Sequence, residues 1–247
     1  MPKYRLDPNP QRVAYGTAVG ILLLDARVPF VPGDVGNHST YNFPVVYRVV
    51  EGLFTKRIIE GDPAMAEPII RAAQELEKEG VAGITADCGY MARFQKQVAS
   101  SVNIPVFLSS WMQVPFISRI LPRQKKVAAI VADSRFIRKE ILENAGIDSS
   151  IPLVIGGMET KPAFASAILK EEGVLDTDLV EAEVIEVACD LLNRNPDVGA
   201  IFLECSCLPP YSAAVQRALG LPVFDFISMI NFVYSSLAKK PYIGTIY

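Results

Sequence analysis

The chain carries two copies of one segment, and this internal repeat limits its possible folds more than any other feature of the sequence. The stretch V-A-G-I-T-A-D-C, from Val81 to Cys88, aligns with V-G-A-I-F-L-E-C, from Val198 to Cys205, at an offset of 117 residues. The same offset, without a gap, places I-P-V-F at 104–107 on L-P-V-F at 221–224. Each copy has the pattern of a buried strand that ends in an acidic residue and a cysteine.

A second pair of segments extends the repeat toward the start of each half. Asp25-Ala26-Arg27 follows one apolar run, and Asp133-Ser134-Arg135 follows another, 108 residues later. Each half therefore opens with strand-Asp-x-Arg and later contains strand-acid-Cys, which predicts two lobes related by a pseudo-twofold axis. The alternative is a general likeness among parallel β-α-β units, but the repetition of the cysteine itself favours a duplication.

Short apolar runs alternate with amphipathic helical patterns, and this alternation predicts an α/β fold with mostly parallel sheets. The runs are apolar throughout, which is typical of parallel strands covered on both faces. The predicted strands are 19–24, 81–86, 106–108, 127–132, 153–155, 200–203 and a short one at Val223. The predicted helices are 63–79, 134–145 and 178–194. We expect residues 1–110 plus 218–247 to form the first lobe and residues 111–217 the second.

Composition narrows the possible partners and locations. Half of the 247 residues are hydrophobic and 21% are charged, which predicts an ordered chain with a large core. The net charge of −3 and the scattered lysines and arginines leave no basic face, so we expect no nucleic-acid partner. The first ten residues lack an apolar signal-peptide core, and runs such as Val19–Leu24 are too short to cross a bilayer. We therefore expect a cytoplasmic protein with no membrane partner.

The four cysteines are expected to be free thiols, because a chain of this size without a secretion signal is not expected to form disulfides. The C-x-C spacing of Cys205 and Cys207 is not a zinc signature, and one histidine offers little to a metal site. Cys189 falls in the apolar stripe of a predicted helix and is assigned to the core.

Cys88 and Cys205 are the candidate catalytic pair, because ligands of open α/β sheets bind at the carboxyl ends of strands. Each lies just past a predicted strand and before a predicted helix, whose N-terminus favours a thiolate. Asp87 and Glu204 oppose that effect if they are ionised, so the net direction of the pKa shift stays open. We predict that both cysteines face one active site.

Three kinds of chemistry could use two facing thiols. A redox dithiol usually has C-x-x-C spacing, and a nucleophilic cysteine commonly needs a histidine base, for which His38 is the one candidate. Two acid/base groups on opposite faces of a carbon fit the repeat best. In that scheme one thiolate removes a proton and the other thiol supplies one.

The duplicated halves, the strand-end cysteines and the Glu204-Cys205-Ser206 triplet resemble the aspartate/glutamate racemase superfamily over nearly the whole chain. That superfamily also holds hydantoin racemases, maleate isomerases and arylmalonate decarboxylases. The resemblance implies two doubly wound lobes, an active site in the cleft between them, a small carboxylate substrate, and no cofactor or metal. It implies that the substrate is held by residues after each cysteine and each opening strand: Gly89, Tyr90, Ser206, Cys207, Asp25 and Ser134. For the assembly we expect a homodimer or a higher homo-oligomer.

The residues around both cysteines differ from those of the amino-acid racemases. Those enzymes commonly carry Cys-Asn-Thr and Cys-Thr-His where this chain has Cys88-Gly89-Tyr90 and Cys205-Ser206-Cys207. The loop Val31–Pro44 resembles that of the algal dimethylsulfoniopropionate lyases, in which a cysteine removes a proton next to a carboxylate and β-elimination follows. A long ordered loop of this kind is also a candidate substrate lid.

The hypothesis is an enzyme that moves a proton on the carbon next to a carboxylate, without a cofactor. A racemase of aspartate/glutamate type ranks first. A lyase of dimethylsulfoniopropionate type, or a decarboxylase, ranks second on the same scaffold. A non-catalytic, two-lobed binding protein ranks third, because mere binding would not need two thiols at equivalent positions.

Overall fold

A computed structural model describes residues 15–245, and within that range the chain forms two parallel sheets flanked by helices. The strands are β1 Val19–Leu23, β2 Val45–Val49, β3 Gly83–Ala86, β4 Lys126–Val131, β5 Leu153–Gly157, β6 Val198–Leu203 and β7 Val223–Phe224. The α-helices are α1 Thr55–Glu60, α2 Ala66–Glu79, α3 Gln95–Ala99, α4 Val114–Ile120, α5 Lys139–Asn144, α6 Pro162–Phe164, α7 Thr177–Arg194, α8 Ser212–Leu219 and α9 Phe226–Leu237.

The two sheets have equivalent strand orders. The first runs β2-β1-β3, the second runs β5-β4-β6-β7, and every pairing is parallel. The first sheet also gains a parallel bridge between Ile84 and Val106, in the position that β7 takes beside β6. The predicted strand at 106–108 is therefore reduced to one bridge, whereas the other predicted strands form where expected. The sequence did not predict β2.

The hydrogen-bond register repeats with the offsets of the sequence. Val19 pairs with Gly83 in the first sheet, and Val127 pairs with Ala200 in the second. The bridge between Ile84 and Val106 likewise has its counterpart in the pairing of Ile201 with Val223, 117 residues on. The predicted α/β fold with two pseudo-twofold-related, doubly wound lobes is confirmed.

Local signals explain the helix boundaries. Asp176 accepts hydrogen bonds from the backbone N–H groups of Asp178 and Leu179 and so begins α7 where the pattern predicts it. The predicted helix 63–79 is α2 preceded by a 3-10 turn at Pro63–Met65. The predicted helix 134–145 forms only its second half as α5, since residues 134–136 make a separate 3-10 turn.

The C-terminal helix returns to the first half of the chain. Phe226, Met229 and Ile230 of α9 pack in one apolar cluster with Val19 and Ile21 of β1. β7 nevertheless pairs with β6 in the second sheet, just before α9 begins. The division of the chain at residues 110 and 217 stays a prediction. No helix among the described residues combines the length and apolar character needed to cross a membrane.

The two halves are joined by a continuous core and by buried hydrogen bonds. The larger apolar cluster includes residues of both sheets, among them Ile84 and Phe202. The buried Tyr90 hydroxyl donates to the carbonyl of Asp133 at 2.6 Å and accepts from the backbone N–H of Asp133 at 2.9 Å. Because the hydroxyl satisfies two backbone groups at once, it fixes the first cysteine segment against the end of β4.

We predict that Tyr90→Phe lowers the free energy of unfolding by about 1–3 kcal/mol, because both backbone groups of Asp133 lose their buried partner. Urea unfolding followed by circular dichroism measures the change. The fully exposed Tyr242 provides a matched control, and Tyr242→Phe should change stability by less than about 0.5 kcal/mol. Equal stability of the two variants would show that the bridge contributes nothing.

Candidate active site

The carboxyl ends of β3 and β6 meet at one narrow cavity. Cys88 follows β3 and Cys205 follows β6, and both side chains line this cavity, whose volume is about 40 Å³. The other lining residues are Leu24, Ala26, Val28, Phe30, Thr55, Ile59, Asp87, Gly89, Tyr90, Ala132, Ile168, Leu169, Glu204, Ser206 and Cys207.

The backbone after each cysteine turns tightly. Cys88 is extended and begins a 3-10 helix over Gly89–Phe94, so α3 starts only at Gln95. After Cys205, a turn and a 3-10 helix at Pro209–Tyr211 come before α8. The helix expected directly after Cys88 is thus a 3-10 helix, whose Tyr90 N–H lowers the pKa of the Cys88 thiol. After Cys205 the helix starts later in the chain.

The surroundings of Cys88 settle the direction of its pKa shift. Burial raises the pKa of the Cys88 thiol well above its ordinary value, and Glu204, Asp87 and Cys205 raise it further when they are ionised. The backbone N–H of Tyr90 acts in the opposite direction, but more weakly. In the absence of substrate, Cys88 is therefore a neutral thiol at neutral pH.

Two buried carboxyl groups flank the cysteines. Burial raises the pKa of Asp87 to about 8, although both of its oxygens accept from the backbone N–H of Leu24 at 3.0 and 3.2 Å. Burial also raises the pKa of Glu204 to about 8, and the N–H groups of Ala132 and Trp111 act in the opposite direction. Both groups favour their neutral form at pH 7. In the part of the chain that the structure describes, no three His, Cys, Asp or Glu side chains are arranged to hold a metal ion.

The loop Val31–Pro44 is attached to the second cysteine segment. The N–H of Val35 donates to the carbonyl of Ser206 at 3.4 Å, and Gly33, with a φ of +100°, packs against Pro210. The buried Asp34 contacts Cys207, and burial raises the pKa of Asp34 to about 7. The sequence analysis did not single out Asp34. The only feature that could have drawn attention to it is an acidic side chain within the loop that is a candidate substrate lid.

Four of the six predicted substrate-binding residues line the cavity: Gly89, Tyr90, Ser206 and Cys207. The hydroxyl of Tyr90 is hydrogen-bonded to the backbone of Asp133, so the other atoms of Tyr90, and not its hydroxyl, are available to a ligand.

The other two predicted residues lie away from the cavity lining. Asp25 accepts from the N–H of Gly52 at 3.0 Å, and the Ser134 hydroxyl donates to Glu159 at 2.5 Å. Their side chains stabilise the turns after β1 and β4. The lining at these strand ends comes instead from Leu24, Ala26 and Ala132.

The remaining candidates also have defined places. His38 lies in the loop Val31–Pro44, packs edge-on against the ring of Tyr47 in β2, and does not line the cavity. Cys189 lies partly buried in α7, away from the cavity. Sequence reasoning missed the apolar walls formed by Phe30, Ile59 and Ile168, because nothing in the pattern relates these distant segments.

Comparison with known proteins gives relatives across almost the whole chain. No family model matches it. It is 34% identical over 242 residues to dimethylsulfoniopropionate lyase 3 of Emiliania huxleyi (strain CCMP1516), covering 94% of this chain and 63% of that relative's length. It is 30% identical over 245 residues to the dimethylsulfoniopropionate lyase of Durusdinium sp. clade D, covering 96% of this chain and 79% of the relative.

Solved structures share the fold at low sequence identity. Glutamate racemase isoform RacE1 from Bacillus anthracis superposes with a TM-score of 0.60 at 12% identity, over 90% of this chain and 81% of that one. Unliganded arylmalonate decarboxylase superposes with a TM-score of 0.57 at 16% identity, over 90% and 93%. The chain therefore shares the fold of these two enzymes. Within that scaffold, it belongs to the dimethylsulfoniopropionate lyase family.

The buried carboxyl groups make stability depend on pH. A carboxyl group whose pKa is raised by folding contributes stability that is present at low pH and lost as the pH rises through the folded value. For Asp34 that window runs from about pH 4, the ordinary value, to about 7. We predict that Asp34→Asn flattens the fall in melting temperature between pH 5 and 7.

Scanning calorimetry across that pH range measures the slope for the wild type and the variant. The matched control is Asp178→Asn, since Asp178 is exposed in the first turn of α7. That variant should retain the wild-type slope. The same slope in the Asp34→Asn variant would mean that Asp34 ionises in the folded protein as it does in the unfolded chain.

Proposed function

We propose that the protein is a lyase that releases dimethyl sulfide from dimethylsulfoniopropionate and leaves acrylate. The observation that carries the proposal is the placement of Cys88 and Cys205 on one cavity, in a chain from the dimethylsulfoniopropionate lyase family. The named relatives favour this lyase over the amino-acid racemase that the superfamily resemblance placed first. These relatives are longer than this chain, so their activity is a proposal for this protein.

The reaction needs one base. A cysteine thiolate removes a proton from the carbon next to the substrate carboxylate, and the electron pair forms the carbon–carbon double bond. The bond from the β-carbon to sulfur breaks, and its electrons leave with dimethyl sulfide. The leaving group departs as a neutral molecule, so it needs no proton from the second thiol.

The cavity is suited to a substrate with one cationic and one anionic end. The carboxyl groups of Asp87 and Glu204 attract a sulfonium cation when they are ionised, and the same cation stabilises a cysteine thiolate. The apolar walls accommodate its methyl groups. The backbone N–H groups of Gly89 and Ser206 are the donors proposed for the substrate carboxylate.

A racemase is the second candidate, favoured by one observation. The two cysteines occupy equivalent places in the two halves, as two-base proton exchange requires. Deuterium distinguishes the reactions, because a racemase exchanges the α-proton of its substrate with solvent deuterium and leaves the carbon skeleton intact. A lyase releases dimethyl sulfide and an unsaturated acid.

We predict that the purified protein releases dimethyl sulfide from dimethylsulfoniopropionate, measured by headspace gas chromatography, with acrylate in equal amount by proton NMR. Of Cys88→Ser and Cys205→Ser, the variant that lacks the base should lower kcat by at least about a hundredfold, the usual contribution of a positioned acid or base. Loss of the other thiol should have a smaller effect, because the elimination needs one base. Cys189→Ser, outside the cavity, is the matched control and should retain wild-type turnover. Full activity in either cavity variant would contradict a role for that thiol.

A panel of aspartate, glutamate and dimethylsulfoniopropionate in D2O tests the second candidate. We expect sulfide release from the last compound and no exchange of the α-proton in the amino acids. Deuterium entry into an amino acid with loss of optical rotation, and no sulfide release, would replace the lyase by the racemase.

A further inference from the structure

The internal repeat is broken at one position that faces the cavity. Asp87 and Glu204 are equivalent, and the backbone N–H of each bonds the central strand of its own sheet, at Leu22 and Ile130 respectively. Their carboxyl groups nevertheless differ. Asp87 turns back into its own lobe, where both oxygens accept from the N–H of Leu24.

Glu204 does not use the equivalent partner. The N–H that corresponds to Leu24 in the second half is that of Ala132. It and the indole N–H of Trp111 lower the pKa of Glu204 against the effect of burial, but neither forms a hydrogen bond of normal geometry with a Glu204 oxygen. Neither carboxyl oxygen has a hydrogen-bond partner among residues 15–245, although the side chain is fully buried. A buried polar group without a partner destabilises the fold and calls for a functional explanation.

The longer glutamate side chain reaches across to the first half. A Cβ atom at Gly89 would collide with the Glu204 carboxyl group, so Glu204 lies directly against the turn after Cys88. The residue equivalent to Gly89 in the second half is Ser206, which carries a side chain. The glycine leaves the space that Glu204 occupies beside Cys88.

A thiol base in this cavity needs a group that takes its proton. The one histidine of the chain, His38, lies in the loop against Tyr47. We propose that Glu204 is the proton partner of Cys88: its unpaired carboxylate accepts the thiol proton and so generates the thiolate that acts on the substrate. This inference rests on the proposed lyase function and assigns the base of that reaction to Cys88.

The proton balance closes over one turnover. Glu204, as a carboxylate, takes the proton from the Cys88 thiol, and the Cys88 thiolate removes the proton next to the substrate carboxylate. Dimethyl sulfide leaves with the electrons of the carbon–sulfur bond, and Cys88 is again a thiol. Glu204 then loses its proton to solvent after the products leave, so one proton is released per acrylate formed.

The electrostatics of the site give the sign of the pH dependence. Glu204 must be ionised to accept a proton, so turnover rises with pH through its pKa of about 8. The titratable groups that interact with it are Cys88 and Tyr90 after β3, while Asp87 and Cys205 act on the same thiol.

Glu204→Gln keeps the shape of the side chain but cannot take a proton. We expect kcat for dimethyl sulfide release to fall by about a hundredfold and the rise through about pH 8 to disappear. Because the charge of Glu204 raises the pKa of Cys88, the same variant should react faster with iodoacetamide at Cys88 above pH 8. Peptide mass spectrometry measures that labelling without any substrate.

If Glu204 had only a structural role, its substitution would lower turnover without making the labelling of Cys88 faster, because a distorted site does not ease the ionisation of that thiol. Glu183→Gln is the matched control, because Glu183 accepts two backbone N–H groups at the start of α6, away from the cavity. It should retain the wild-type turnover, pH profile and labelling rate.

Three results would overturn the inference: unchanged turnover in Glu204→Gln, unchanged labelling of Cys88, or a joint fall of turnover and labelling. If the wild type releases no dimethyl sulfide at any pH, the proposed function fails instead. The labelling comparison then still shows whether Glu204 controls the ionisation of Cys88.

Discussion

Parallel hydrogen bonding around two central strands, β1 and β4, is the constraint on which the rest of the structure depends. Each strand pairs with two neighbours in the same register in both halves. Parallel strands end at the same edge of their sheet, so each ladder delivers an acidic residue and a cysteine to its carboxyl edge. The Tyr90 hydroxyl, bonded to the backbone of Asp133, holds one edge against the other. The cavity exists because two equivalent edges are joined in this way.

The repeat, the parallel sheets and the cysteine pair could be predicted from the sequence, because buried parallel strands leave long apolar runs. A residue that ends such a run has a known place in three dimensions, and Cys88 and Cys205 both line one cavity at the strand ends. β2 escaped prediction because its residues are only partly buried and include Arg48, so its pattern lacks the continuous apolar character of the central strands.

Side-chain directions at the strand ends could not be predicted, since they depend on contacts between segments far apart in the chain. Asp25 follows β1 as expected, but its carboxylate accepts from Gly52 in another turn. The Ser134 hydroxyl likewise donates to Glu159, in a segment that lies 25 residues further along the chain. Asp34 reaches the second cysteine segment only because the loop that carries it bonds to Ser206. The sequence pattern therefore predicts where these residues lie in the fold, whereas the directions of their side chains depend on tertiary contacts.

The unequal halves bear on the choice between the two proton chemistries. A racemase removes and returns a proton at opposite faces of one carbon, so both of its thiols need comparable access to protons. Elimination of a neutral sulfide needs one base, and the other half of the site is free to diverge. The divergence is concentrated beside the cysteines, where Asp87 is satisfied by Leu24 while Glu204 is unpaired against Gly89. The two backbones are equivalent, but the acidic side chains beside the two cysteines have different hydrogen-bond partners. A duplicated scaffold that has adapted to a one-base reaction would show this difference, so the asymmetry supports the proposed lyase over the racemase.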